Sequence, residues 1–191
     1  MFSRLRGWMT GPRALWGGGV TLILVGVGLA AGFVGGFSVF SDYTNRLEFC
    51  ISCHEMETGP YAEYKKSIHY NNRTGVRAEC KDCHVPKEFG PKLVAKVVAS
   101  KDVYHHLMGT IDSPEKFEEH RLAMAQRVWA QMEATGSREC RNCHNFQAMD
   151  LNEQGRRAKA KHPKAMEDSK HCIQCHKGIV HELPKGYDPN G

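Results

Sequence analysis

Residues 14–40, ALWGGGVTLILVGVGLAAGFVGGFSVF, hold no charged side chain. At about 1.5 Å per residue, a helix of that length exceeds the ~30 Å hydrocarbon core of a bilayer, so it predicts one membrane-spanning helix with room to tilt. A cleaved signal peptide has a shorter apolar stretch of about 7–15 residues, so the segment reads as a retained anchor. Gly28, Gly32 and Gly36 recur at every fourth position, a close-packing face for a second copy in a homodimer. Past residue 40 the pattern changes. GPKLVAKVVASKDVYHHLMG predicts a helix that Pro91 opens and Gly109 closes. DSPEKFEEHRLAMAQRVWAQMEATG predicts another, with Asp112 and Glu115 at capping-box spacing and an end near Gly136. Its Phe117, His120, Met124, Val128 and Met132 share one face, which reads as packing. No stretch alternates like a strand, so the fold class is mainly α.

Cysteine changes this picture. All eight cysteines fall in one repeated pattern: Cys50-Ile-Ser-Cys53-His54, Cys80-Lys-Asp-Cys83-His84, Cys140-Arg-Asn-Cys143-His144 and Cys172-Ile-Gln-Cys175-His176. Four disulfides would account for the even count but not for the histidines. Zinc sites use Cys-x-x-Cys pairs without a histidine following each one. Cys-x-x-Cys-His is the attachment pattern of c-type haem, with the thiols holding the porphyrin and the histidine on the iron. The pattern therefore predicts four covalently bound haem c groups. The stretch past the anchor is too short per haem for an ordinary apolar core, so the haems themselves are expected to form it.

The formal charge of +5 does not indicate nucleic acid. Arg4, Arg6 and Arg13 precede the apolar segment, and residues 41–191 carry 23 basic against 21 acidic groups. Haem propionates are the expected partners of those basic residues. With Asp42 on the far side, the positive-inside rule puts residues 1–13 in the cytoplasm and the rest outside. Bacterial c-type haems are attached outside the cytoplasmic membrane, so the expected location is the inner membrane with a periplasmic haem domain.

The motifs start at 50, 80, 140 and 172, which reads as two pairs. His69 lies between the first two motifs, and His162 between the last two. Each half then reads as a dihaem module: 41–109 the first, 110–191 a linker helix and the second. His181 follows the fourth motif in CHKGIVH, whereas CHVPKEF after the second offers Lys87 and no histidine. His69, His162 and His181 are the expected distal ligands, which leaves one haem short of a distal histidine. His171 adjoins Cys172 too closely to ligate, and His105 and His106 are ambiguous. Met56, two places after His54, competes with it for the first iron.

The run of motifs resembles the NapC/NirT family of membrane-anchored tetrahaem cytochromes, which includes NrfH-like and CymA-like members. FCISCHEM, SIHYNNRTGVRAECKDCHVPK, SKDVY, SRECRNCHNFQAMD and CIQCHKGIVHELP carry the resemblance, which spans essentially the whole chain and lies nearest the NapC and NirT branch. It implies oxidation of quinol from the membrane pool and delivery of electrons to a periplasmic reductase for nitrate or nitrite. It implies that His69, His162 and His181 are distal ligands, that Met56 takes the place of His54 on the first haem, and that Asp102 lies over that haem's open face. A quinol-site lysine of the family falls nearest Lys96, out of register by one. The alternative is an electron relay with no quinol site of its own. A terminal reductase of the multihaem type would need a Cys-x-x-Cys-Lys motif, which the chain lacks.

Overall fold

The computed structural model describes residues 12–188, with side chains from Gly17 onward. Arg4, Arg6 and the side chain of Arg13, on which the expected orientation rests, lie outside the described residues. No strand occurs among the described residues, in keeping with a mainly α fold. The chain falls into two compact units divided between Thr44 and Asn45.

The first unit is helix α1, Pro12–Thr44, which carries the expected anchor and runs four residues past Phe40. Gly17–Thr44 is long and apolar enough to cross a membrane. Leu22, Leu29 and Val39 are each at least 70% exposed, a surface suited to lipid rather than water. Thr44 ends the helix by returning its hydroxyl to the Phe40 carbonyl at 2.8 Å.

The second unit, from Asn45 on, holds helices joined by loops, and residues 41–44 of the first expected module belong instead to the first unit. Helix α2 is Leu47–Cys50. Short helices α3 (His54–Met56) and α4 (Ala62–Tyr64) flank a π turn, Glu57–Tyr61, which contains Pro60. Helix α5, Cys80–His84, contains the whole second motif. The long helices are α6 (Phe89–Leu107) and α7 (Pro114–Ala134). Helix α8 is Arg138–Arg141, α9 is Arg156–Glu167 and α10 is Cys172–Cys175.

The long helices follow the sequence signals with two corrections. The cap of α7 is Ser113, whose Oγ accepts from the Lys116 amide, with Pro114 in the first turn; Asp112 instead pairs with the Lys116 ammonium at 2.6 Å. His120 does not pack. It is exposed, with Nδ1 donating to the Lys116 carbonyl, while Phe117, Met124, Val128 and Met132 are half-buried.

Among the described residues, only Tyr64 and Ile173 are buried large apolar side chains. A unit of this size cannot be held by two such residues. Tyr64 donates its hydroxyl to the Ala78 carbonyl at 2.8 Å and meets Tyr70 edge-on at 5.1 Å. Ser137 is fully buried in a left-handed conformation, and its Oγ accepts from the Ile173 amide, tying α8 to α10.

Candidate haem centres

The second and fourth motifs each form about one helical turn, which sets their two cysteines three positions apart on one face, while the first and third start at the end of a helix and run into a turn. Glu79 and Asp82 form a capping box that starts α5, and His171 and Gln174 do the same for α10. His171 is thereby occupied as a cap. No disulfide joins the eight cysteines in this structure.

The motifs lie in a row in chain order. Helix α2 packs on α5, and α5 on α8. The Cys50 and Cys80 thiols hydrogen bond to each other, and Cys140 contacts Cys172 in the same way. Cys83 feels the charge of both Cys140 and Cys143.

Three motif histidines face a histidine from elsewhere. Ring centres are 6.2 Å apart for His69 and His144, 6.2 Å for His84 and His181, and 6.0 Å for His162 and His176. A metal-bound imidazole nitrogen lies about 2 Å from the ion and about 1.1 Å from its own ring centre, so two imidazoles on opposite faces of one iron stand about 6.2 Å apart. The donor set therefore fits bis-histidine haem. Burial pushes His69, His176 and His181 below the ordinary imidazole value, and it does the same to His84, whose ring keeps accessible surface although protein surrounds it. Metal ligation requires the neutral imidazole that this environment favours.

Two of the pairs cross between the expected modules. His69 of the first half meets the third motif, and His181 of the second half meets the second. Only His162 and His176 pair within one half. The halves are interleaved rather than self-contained.

The first motif differs. Nε2 of His54, the nitrogen that would reach an iron, donates to the Asp112 carbonyl at 2.9 Å. Nδ1 of His54 lies 3.5 Å from Glu55, which is buried and accepts from His106 Nδ1 at 2.5 Å. Burial pushes the Glu55 carboxyl up, but the His106 hydrogen bond and the neighbouring imidazoles outweigh it and hold it below its ordinary value. The His106 ring centre is 6.4 Å from that of His54, with Cys53 Sγ close by. Met56 is 41% exposed beside them.

Helix α6 runs along this motif. Lys96 is close enough to Cys50 to feel its charge, and burial holds its ammonium below the ordinary value. Asp102 is exposed and lies one helical turn before His106, on the same face. The sequence reading missed Glu55 and left His106 undecided. The only signal for either was position: Glu55 sits inside the motif and His106 one turn past Asp102.

The family model for the NapC/NirT cytochrome c family, N-terminal region, matches residues 15–186. The cytochrome c-type protein NapC of Escherichia coli strain K12 is 50% identical over 184 residues, covering 96% of this chain and 91% of that protein. The denitrification system component NirT of Stutzerimonas stutzeri is 54% identical over 162 residues, 84% of this chain and 81% of that one. A tetraheme cytochrome-c type protein of Allochromatium vinosum is 58% identical over 141 residues, 74% and 76% of the two chains. Among solved structures, the cytochrome c nitrite reductase NrfHA complex bound to the HQNO inhibitor matches with a TM-score of 0.44 and 26% identity over 84% of this chain and 90% of that one, too low to carry weight.

Proposed function

The chain belongs to the NapC/NirT cytochrome c family, and from that we propose that it is a membrane-anchored tetrahaem cytochrome that oxidises quinol and passes the electrons to a periplasmic reductase, for nitrate or nitrite. The single helix α1 is its anchor, with residues 1–13 in the cytoplasm and the haem domain in the periplasm. The open face of Gly28, Gly32 and Gly36, where an added Cβ meets nothing within 4 Å, is where a second copy packs.

The thioether positions are Cys50 and Cys53, Cys80 and Cys83, Cys140 and Cys143, and Cys172 and Cys175. The iron ligands are His84 with His181, His144 with His69, and His176 with His162. When bound, the four haems supply one-electron redox chemistry along the row.

The observation that carries quinol oxidation is the engagement of His54 Nε2 by the Asp112 carbonyl. With His54 so engaged, Met56 is the residue that would hold the first haem, and quinol would approach where no protein ligand competes for it. Asp102, one turn from His106, accepts the proton of a quinol hydroxyl and returns it to water, for which its exposure suits it. Lys96 offers an ammonium near Cys50 that orients a quinol oxygen.

A second reading has its own observation. The 6.4 Å between the His54 and His106 rings also suits bis-histidine ligation. All four irons would then be filled on both faces, and the protein would relay electrons without a quinol site.

Steady-state reduction of the detergent-purified protein by a soluble quinol analogue tests the first reading. Inhibitor-sensitive reduction that falls about 100-fold or more in Asp102→Asn, the usual range for a lost general base, is expected. Reduction indifferent to both would leave the relay.

A further inference from the structure

Arg121 of α7 is buried, and its guanidinium grips the Glu63 carboxylate at both oxygens, Nη1 to Oε1 at 2.7 Å and Nη2 to Oε2 at 2.7 Å. Both side chains are only about a tenth exposed. Buried ion pairs are weak sources of stability, because desolvation offsets much of their attraction. What this pair touches suggests another reason for it. Arg121 Nη2 donates to the Glu182 carbonyl at 2.7 Å, and the Glu182 amide donates to Glu63 Oε2 at 2.9 Å. Both backbone groups of Glu182 are thus held by one ion pair. The preceding residue is His181, whose Nδ1 lies 3.6 Å from the same Glu63 oxygen. That separation is beyond hydrogen-bond range, so Glu63 acts on the ring through its charge and through its grip on Glu182.

We propose that Glu63, clamped by Arg121, is the positioning residue for the haem ligand His181 and sets the redox potential of the haem attached at Cys80 and Cys83. This rests on the assignment of His181 to that haem. A carboxylate beside an axial imidazole favours the ferric state and lowers the potential. Loss of the Glu63 charge also leaves the Arg121 guanidinium balanced by Glu118 alone, which acts in the same direction.

The test is a redox titration of the full chain in detergent, followed by optical and EPR spectra. Glu63→Gln keeps the shape and one oxygen but removes the charge. The expected result is a rise in the potential of one haem of the four, with a shift of its low-spin signal. Glu118→Gln is the control: Glu118 holds the same guanidinium at 2.8 Å but is not the carboxylate beside His181, so it should leave that haem's potential in place. No shift in Glu63→Gln, or an equal shift in Glu118→Gln, would overturn the role. Should Glu63→Gln not assemble with four haems, Glu63→Asp keeps the charge farther back and should move the same signal by less; an unmoved signal there overturns the role too. His181→Ala separates the two levels. A haem spectrum unchanged by His181→Ala would sink the ligand assignment and this role with it, whereas a changed one alongside an inert Glu63→Gln would sink the role alone.

Discussion

His84 and His181 face each other with ring centres 6.2 Å apart, although one closes the second motif and the other lies past the fourth. The pairing of His69 with His144 crosses in the other direction. Together they make the second unit one interleaved body. Loss of either member of a pair should then disturb the same haem. We expect His181→Met and His84→Met each to shift one low-spin EPR signal, and the double variant to shift no other. By contrast, His162→Met should act on the haem of His176. Strict additivity of the His84 and His181 effects on two separate signals would contradict the crossing.

The loop that delivers His181 turns at Gly178, where φ is +75° and an added Cβ would meet Leu183 Cγ at 2.8 Å. A left-handed backbone costs an L residue about 1 kcal/mol, before any clash. Gly178→Ala should therefore lower the thermal stability by more than about 1 kcal/mol. It should also weaken the spectrum of the His84 haem first. Circular dichroism and visible absorption through one melt would check both.

Tyr64 makes the alkaline side testable. Burial, with nearby negative charge, pushes its phenol up to about 12 from 10. A raised acid favours the folded state while protonated, so its contribution is complete below pH 10 and is lost as pH rises from 10 through about 12. Tyr64→Phe should cost about 1 kcal/mol at neutral pH, through the lost hydrogen bond to Ala78, and flatten the stability profile above pH 10. An unchanged alkaline profile in the variant would place the sensitivity elsewhere.

The four motifs, the long apolar helix and both long helices of the second unit were legible in the sequence because each rests on local signals: motif spacing, an uncharged run, proline and glycine at helix ends. His69, His162 and His181, each of which faces a motif histidine, could be picked out by counting, but their partners could not. Spacing in sequence favours neighbours within a half, whereas packing of α2 on α5 and α5 on α8 brings successive motifs together regardless of the halves. Glu55 and the Glu63–Arg121 pair were invisible, and His106 undecided, for the same reason. Each acts across a long stretch of chain, and single charged residues carry no period. His120 shows the converse: a helical stripe of apolar neighbours did not bury it.

The first haem's ligand is open to a direct exchange. With Met56 as ligand, Met56→Ala should change the spectrum of one haem and sharply lower quinol-driven reduction, while His54→Ala should leave the iron's ligand field intact. With His54 as ligand, the two outcomes exchange. Haem stain and absorption of both variants, normalised to four haems, would decide between them.

The measurement that reaches the central claim most directly is the EPR spectrum of the oxidised, detergent-purified protein, recorded with and without a quinol-site inhibitor. An iron held by Met56 with a free opposite face predicts a high-spin ferric signal that the inhibitor perturbs. Low-spin signals alone, unmoved by the inhibitor, would mean four irons filled on both faces, with His106 opposite His54, and would contradict the open quinol site.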